Sequence, residues 1–571
     1  MTFKRLLSYL KPYKNNIKLV IFIVAISSIC TIFIPKLTGD IISSMYESIT
    51  SSSSLNTKHI YTLIIIITSF YLITALSSYL ENYIMSNISE KAVYSLKNEA
   101  YEKLSKLEMK YYDIHKSGEI MSKINNDIET ISSLFIQTIP RIISYLITFI
   151  GTLIIMLTIN VKLTLIAIIA IPFTLIFSKL LMKFARKSYK QYHSKRGFLN
   201  SLMQESYINQ ETISLYNNDT NISMSFKTLN KDLAKTSMKA SIITSIVTPI
   251  SSIINYSVYF IIIILSSKYV LEKKLLLGDI QALIQYTKQL SSPISNFSSL
   301  LTSIQSSLAA ADRVFSLLDE KEENNTGNCF INTIDSIEFK NVEFSYDNNS
   351  LITDFNLKIN KGEKIAIIGE TGSGKSTIIN LLMRFYKIKN GDILINNKSI
   401  YDYSINSYYS NISLVPQNNY LFNDSIKNNL KFANFNITDE KLLEICKRTN
   451  SFNILSNLPQ KENEIIKEEE QKLSEGEKQL LVISRALIKE HNLLILDEAT
   501  SNIDSKNEKD IQESLDTLTK DKTTIIIAHK LSTILKADKI IVMKNGKIIE
   551  TGTHSSLYKE KGEYYSYLQS L

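Results

Sequence analysis

Apolar residues form long stretches in the first 315 positions and short alternating runs after position 335. Six long stretches stand out, at about 17–42, 60–80, 131–157, 163–181, 242–269 and 275–300. A bilayer crossing takes about 20 mainly apolar residues, and the first five qualify. The sixth carries Gln281, Gln285, Lys288 and Gln289. It reads as a span with a polar face or as an amphipathic soluble helix, and the even crossing number that the loops require favours the span. Segments 43–59, 158–162 and 270–274 are short, whereas 85–130 and 182–240 are long, Lys-rich and without turn clusters. The long ones read as helical extensions on the cytoplasmic side, with both termini cytoplasmic as well. Met1 to Lys18 is basic and amphipathic, which fits an interfacial helix better than a cleavable leader.

Beyond the charged, Asn-rich stretch 316–335, apolar runs of strand length alternate with helical patterns. The expected fold is an all-α six-helix transmembrane domain (1–315), a linker (316–335) and an α/β P-loop nucleotide-binding domain (336–571). Composition sharpens this division. The chain of 571 residues is too long for one core. Its mean hydropathy of +0.01 then averages an oily half with a charged half. Apolar content of 44% excludes a disordered chain, and three cysteines (Cys30, Cys329, Cys446) exclude a disulfide scaffold. The formal charge of +9 does not point to nucleic acid, because only eight residues are Arg and the lysines are diffuse.

The second half carries the chemistry. Lys364–Ile368 reads as a buried strand, followed by Gly369, Glu370, Thr371, Gly372, Ser373, Gly374, Lys375, Ser376 and Thr377 and then a helical stretch. This is G-x-x-x-x-G-K-[ST] between a strand and a helix, where backbone N–H groups and a helix N-terminus cradle phosphates. Lys375 would reach the β- and γ-phosphates of ATP, and Ser376 would ligate Mg²⁺. The run Leu493–Leu496 delivers Asp497 and Glu498 at a strand's C-terminal edge, where α/β sheets bind ligands. Asp497 would organise the metal, and Glu498 would act as general base. A further apolar strand, Thr523–Ala528, ends in His529. That histidine is either a packing residue or a γ-phosphate contact, and its place beyond the phosphate-holding edge favours the contact.

These motifs in this order resemble an ABC exporter half-transporter, with six membrane helices fused to one ATP-binding cassette. The resemblance extends over essentially the whole chain. It implies that Tyr346 in Phe344-Ser345-Tyr346 stacks on adenine, and that Gln417 in Val415-Pro416-Gln417 senses the metal and the membrane domain. It also implies that Ser501–Asp504 is the D-loop, with Asp504 its acid, and that His529 lies in the switch loop. The stretches 112–118 and 208–215 resemble the two coupling regions. The implied partners are a second half-transporter, membrane lipid and a transported substrate, in the cell membrane.

Two departures matter. In the family, the signature that acts in trans is usually Leu-Ser-Gly-Gly-Gln. Here Leu473 is followed by Ser474, Glu475, Gly476 and Glu477. A carboxylate about 5 Å from phosphate at an effective dielectric near 20 is repelled by roughly 3 kcal/mol. That reading makes this chain one half of a heterodimeric exporter, with an intact ATP site of its own and a weakened trans signature. Against it, the S-x-x-E spacing lets Glu477 close a capping box on Ser474, and Glu475 could face outward; a homodimer would then be tolerated, and a regulatory ATPase or ATP-gated channel on the same fold is a third, lower-ranked reading. Further upstream, Lys467–Glu470 keeps only Glu468 of the loop that contacts the membrane helices in the family. The polar sixth helix reads equally as pore lining or as a packing face.

Overall fold

The computed structural model describes residues 2–50, 57–323, 327–346, 350–467, 472–497, 505–528 and 530–570. The chain divides into two compact units, one of residues 1–105 and 117–320, the other of 106–116 and 321–571.

Among the described residues, every regular element of the first unit is a helix. The helix Thr2–Ser8 and a single turn, Lys11–Tyr13, lead into Lys14–Thr50. Leu6 and Leu10 are buried in one core with Val24, Met85, Ile131 and Phe315, so the amphipathic start of the chain lays its apolar face on this helix bundle. Thr57–Leu104 and Val161–Ile208 each run for 48 residues. At 1.5 Å per residue each is about 72 Å long, more than twice a bilayer's hydrocarbon thickness. Asn160 caps the second of them by accepting from the Leu163 N–H at 3.1 Å. Between these two, the chain from Ser117 to Ile159 is helical throughout, with π turns at Lys123–Asp127 and Leu134–Thr138. Asp127 within the first π turn receives Arg313 Nε and Nη2 at 2.8 and 2.6 Å.

Among the described residues, four helices are long and apolar enough to cross a membrane: Lys11–Thr50, Thr57–Leu104, Ser117–Ile159 and Ser252–Leu271. Val161–Phe173 is a shorter apolar stretch. Phe22, Leu72, Ile154, Phe173 and Phe260 on these helices face outward, as side chains in contact with lipid do. The helix Leu277–Leu318 is more polar, and it turns polar groups inward. Gln289 donates to the Thr31 carbonyl at 3.2 Å, and the Tyr286 phenol to the Ile32 carbonyl at 2.9 Å. Gly278 lets the backbones of this helix and Lys14–Thr50 approach so closely that a Cβ there would lie 1.7 Å from the Gly39 carbonyl oxygen. The polar positions of this helix are therefore at least partly a packing face.

Among the described residues, the second unit holds ten strands in two sheets. β1 (Ser336–Phe344), β2 (Ile352–Asn360), β4 (Asn390–Ile395) and β5 (Lys398–Ser399) form an antiparallel sheet in the order β2-β1-β4-β5. The other sheet runs β10-β9-β3-β8-β7-β6, from β3 (Lys364–Ile368), β6 (Ile412–Val415), β7 (Leu493–Asp497), β8 (Thr523–Ile527), β9 (Lys539–Lys544) and β10 (Lys547–Gly552). All neighbours in it are parallel except β10 and β9. β3, β7 and β8 are almost continuously buried, as parallel strands covered on both faces must be. Helices Lys375–Leu382, Glu475–Ile488 and Ser505–Thr519 belong to the same unit.

The stretch expected as a linker is only partly one. The preceding helix continues to Leu318, and Ile331 and Ile334 are buried against the antiparallel sheet. Residues 106–116 also belong to this second unit. Leu107 bridges Glu322 in antiparallel fashion, and the Glu323 N–H donates to the Lys106 carbonyl at 2.8 Å.

Candidate active site

β3, β6, β7 and β8 are parallel, so their C-terminal ends open on one edge of the sheet. The loop Gly369–Gly374 leaves β3 there and turns into the helix Lys375–Leu382. Gly369, Gly372 and Gly374 have φ of 149°, 85° and 99°, values that L side chains rarely adopt. At Gly369 a Cβ would also lie 2.2 Å from the Met543 carbonyl oxygen. Lys375 is buried and donates to the Gly369 and Glu370 carbonyls at 2.8 and 2.9 Å, so its ammonium sits on the loop itself. Ser373 is 4% exposed, yet its hydroxyl has no hydrogen-bond partner among the described residues. A buried hydroxyl without a partner costs roughly 1–3 kcal/mol, which a phosphate oxygen would relieve. The loop therefore fits a nucleotide's phosphate chain. Ser376 is exposed beside it, and Thr377 is buried.

Asp497 ends β7 opposite Ile527 of β8, and Gln417 lies two residues beyond the end of β6. Asp497 is partly buried and Gln417 is exposed. The structure thus brings Lys375, Ser376, Gln417 and Asp497 to a single sheet edge. Glu498, Ser501–Asp504 and His529 lie outside the described residues, as do Glu468, Glu469 and Glu470.

Tyr346 is held by other rings. It stands edge-on to Phe344 and to Tyr386, both at 4.8 Å, and its hydroxyl lies 3.5 Å from Thr377 Oγ1. Tyr386 in turn donates its phenol proton to Asp113. Nothing in the sequence pairs Tyr386 with Asp113, because 273 residues separate them.

At the signature, the S-x-x-E box is formed. Ser474 caps the helix Glu475–Ile488, accepting from the Glu477 N–H at 3.3 Å. Both the Ser474 N–H and its hydroxyl donate to Glu477 Oε2, at 2.8 and 2.9 Å. Glu475 pairs with Lys478 at 2.7 Å on the exposed side of the same turn. The i,i+3 spacing of that pair could have been read from sequence. Of the two stretches that resemble coupling regions, 112–118 starts within the short helix Met109–Ile114, packed through Tyr111, and 208–215 ends in the helix Gln210–Leu215, with Ile208, Leu215 and the neighbouring Tyr216 exposed.

Residues 17–294 match the family described as the ABC transporter transmembrane region, and residues 352–501 the family described as ABC transporter. The chain is 32% identical to the uncharacterized ABC transporter ATP-binding protein YfiC of Bacillus subtilis, across 100% of this chain and 94% of that one. It is 30% identical to the ATP-dependent lipid A-core flippase 2 of Colwellia psychrerythraea, across 100% and 97% of the two chains. The structure of a bacterial Atm1-family ABC exporter with ATP bound shares the fold, with a TM-score of 0.79, 23% identity and 98% of each chain covered.

Proposed function

This chain belongs to the ABC transporter family as an ATP hydrolase coupled to transport, and from that membership we propose the finer reading that it is one half of a heterodimeric exporter working by alternating access. The phosphates of ATP lie along Gly369, Glu370, Thr371, Gly372, Ser373, Gly374, Lys375, Ser376 and Thr377, and Tyr346 stacks on the base. Glu498 takes the proton of the attacking water, with His529 and Gln417 at the γ-phosphate end and Asp504 at the seam between cassettes. Magnesium, when bound, would neutralise charge on the β- and γ-phosphates, and Ser376, Gln417 and Asp497 are the residues to hold it. Support for the hydrolytic site comes from the left-handed glycine loop with its buried, partnerless Ser373 hydroxyl. Glu498→Gln should keep ATP binding and lower turnover by about a hundredfold or more. Unchanged turnover would remove Glu498 from that role.

The observation behind the heterodimer is local. A signature serine serves a phosphate in trans through its hydroxyl and the N–H groups of its helix start. Here both donors of Ser474 already bind the carboxylate of Glu477. A phosphate approaching this turn must displace that carboxylate or meet its charge. A partner with an unblocked signature would complete this chain's own ATP site. The closed capping box and the outward Glu475 are equally what a tolerated homodimer would show, and Lys478 offsets the charge of Glu475. Glu475→Gly separates the two in lipid-reconstituted protein. In a homodimer it should raise hydrolysis strongly, whereas in a heterodimer it should change mainly nucleotide occlusion at the slow site. Robust ATPase and transport by the chain alone would sink the heterodimer. An amphiphilic lipid is the first substrate class to test, because the Colwellia relative is named as a lipid A-core flippase.

A further inference from the structure

We propose that Tyr386 is a positioning residue that reports occupancy of the nucleotide's base site to the helix Met109–Ile114, through its hydrogen bond to Asp113. The inference rests on the reading of Tyr346 as the base-stacking residue. Three observations carry it. First, Tyr346, Tyr386 and Phe344 form one edge-to-face cluster, with Tyr346 at 4.8 Å from each of the other two rings and Phe344 and Tyr386 at 5.7 Å. Interlocked rings cannot move singly, so a base seated on Tyr346 constrains the Tyr386 ring as well. Second, the Tyr386 phenol donates to the Asp113 carboxylate, a charge-assisted bond of the stronger class. Burial and then the Asp113 carboxylate push that phenol's pKa up, so it remains a donor. Third, the segment carrying Asp113 is anchored to the cassette unit at its other end by the Leu107–Glu322 bridge. It leaves that unit at both ends, where the chain continues into residues of the helical unit at 105 and 117.

A cavity of about 370 Å³ lies between these groups, lined by Glu108, Lys110, Tyr346, Arg384, Tyr386 and Tyr401. Glu108 and Lys110 of the 106–116 segment line it together with the Tyr346 and Tyr386 rings, so the segment and the ring cluster share one cavity wall. The phosphate loop has a separate route to the same cluster, through Thr377 and the Tyr346 hydroxyl, so phosphate and base occupancy must be told apart experimentally.

Hydrogen exchange of the amides in 106–116 makes the test, on the full-length transporter in lipid nanodiscs, together with its partner chain if it needs one. ATP should slow exchange in this segment, and inorganic tripolyphosphate, which has no base, should not. Tyr386→Phe keeps the ring and removes the bond, so ATP affinity should stay within about twofold while the ATP-induced protection falls about tenfold. Asp113→Ala should have the same effect, Asp113→Asn should restore part of the protection, and the double variant should add nothing. A merely structural role would alter exchange without nucleotide and leave the response to ATP intact. Equal protection by tripolyphosphate, or full protection in both Tyr386→Phe and Asp113→Ala, would overturn the proposal. If the wild-type protein bound no nucleotide, the assignment of the site itself would fall instead.

Discussion

A single carboxylate, that of Glu477, closes the turn at Ser474. Glu477 stands where the family has glutamine, and its charge satisfies the Ser474 N–H and hydroxyl at once. It also places negative charge in the first turn of the helix, where the dipole favours it. On the proposed trans role of Ser474, helix stability and nucleotide binding therefore pull in opposite directions at this residue. Glu477→Ala should cost the cassette about 1 kcal/mol of stability through loss of the cap. The same change frees the donors of Ser474, so ATP trapped at that interface should increase. Thermal unfolding and nucleotide trapping on one preparation give both numbers, and unchanged stability would mean the box does not form in solution. The capping box was legible from spacing alone, as was the phosphate loop, because both are local and their backbone geometry dictates residue type. The Tyr386–Asp113 bond was not legible, since no local pattern links a tyrosine beyond the phosphate-loop helix to an aspartate in the first half.

At the scale of elements, the apolar runs read as β3, β7 and β8 are strands with those bounds or within one residue of them. Full burial leaves such runs little alternative. The helix Leu277–Leu318 was harder to read. Its glutamines suit a pore or a seam equally well, and only the bonds from Gln289 and Tyr286 to the backbone of Lys14–Thr50 place these two positions in a seam. The start of β7 holds a titration that sequence reasoning did not anticipate. His491 is buried just before the strand, with Nδ1 2.6 Å from the Lys489 carbonyl oxygen. Burial, opposed by the hydrogen bond to the Lys489 carbonyl and helped by the charges of Lys522 and Lys489, pulls its pKa from 6.5 down to about 4. Between those values the unfolded chain binds a proton that the folded chain refuses. Stability from this site is complete above pH 6.5 and declines as pH falls toward 4, by up to about 3 kcal/mol. The unfolding midpoint of the cassette should drop over that range in the wild type and lose this part of its slope in His491→Asn. Parallel slopes in the two proteins would show that the imidazole is not the titrating group.

For the whole molecule, the open quantity is the number of crossings, and charge constrains it. The lysines of 85–130 and 182–240 lie on opposite sides of two candidate spans, 131–157 and 163–181. The first lies in a helix long and apolar enough to cross, and the second contributes only the shorter apolar stretch Val161–Phe173. If that second helix stopped short, the basic run from Lys187 to Arg196 would lie on the opposite face from Lys91 to Lys123, against the positive-inside bias. The same parity argument holds for Leu277–Leu318, because the chain must return to the side of the cassette that receives ATP. Six crossings are therefore expected, with the turn at Asn160 outside and both termini inside. The native Cys30, Cys329 and Cys446 can be replaced so that single new cysteines report position. A cysteine at 160 should react with an impermeant maleimide in intact cells, and one at 195 only after permeabilisation. Labelling at 195 from outside would make the crossing number odd and move the second basic segment, with its exposed Gln210–Leu215 helix, away from any cytoplasmic cassette.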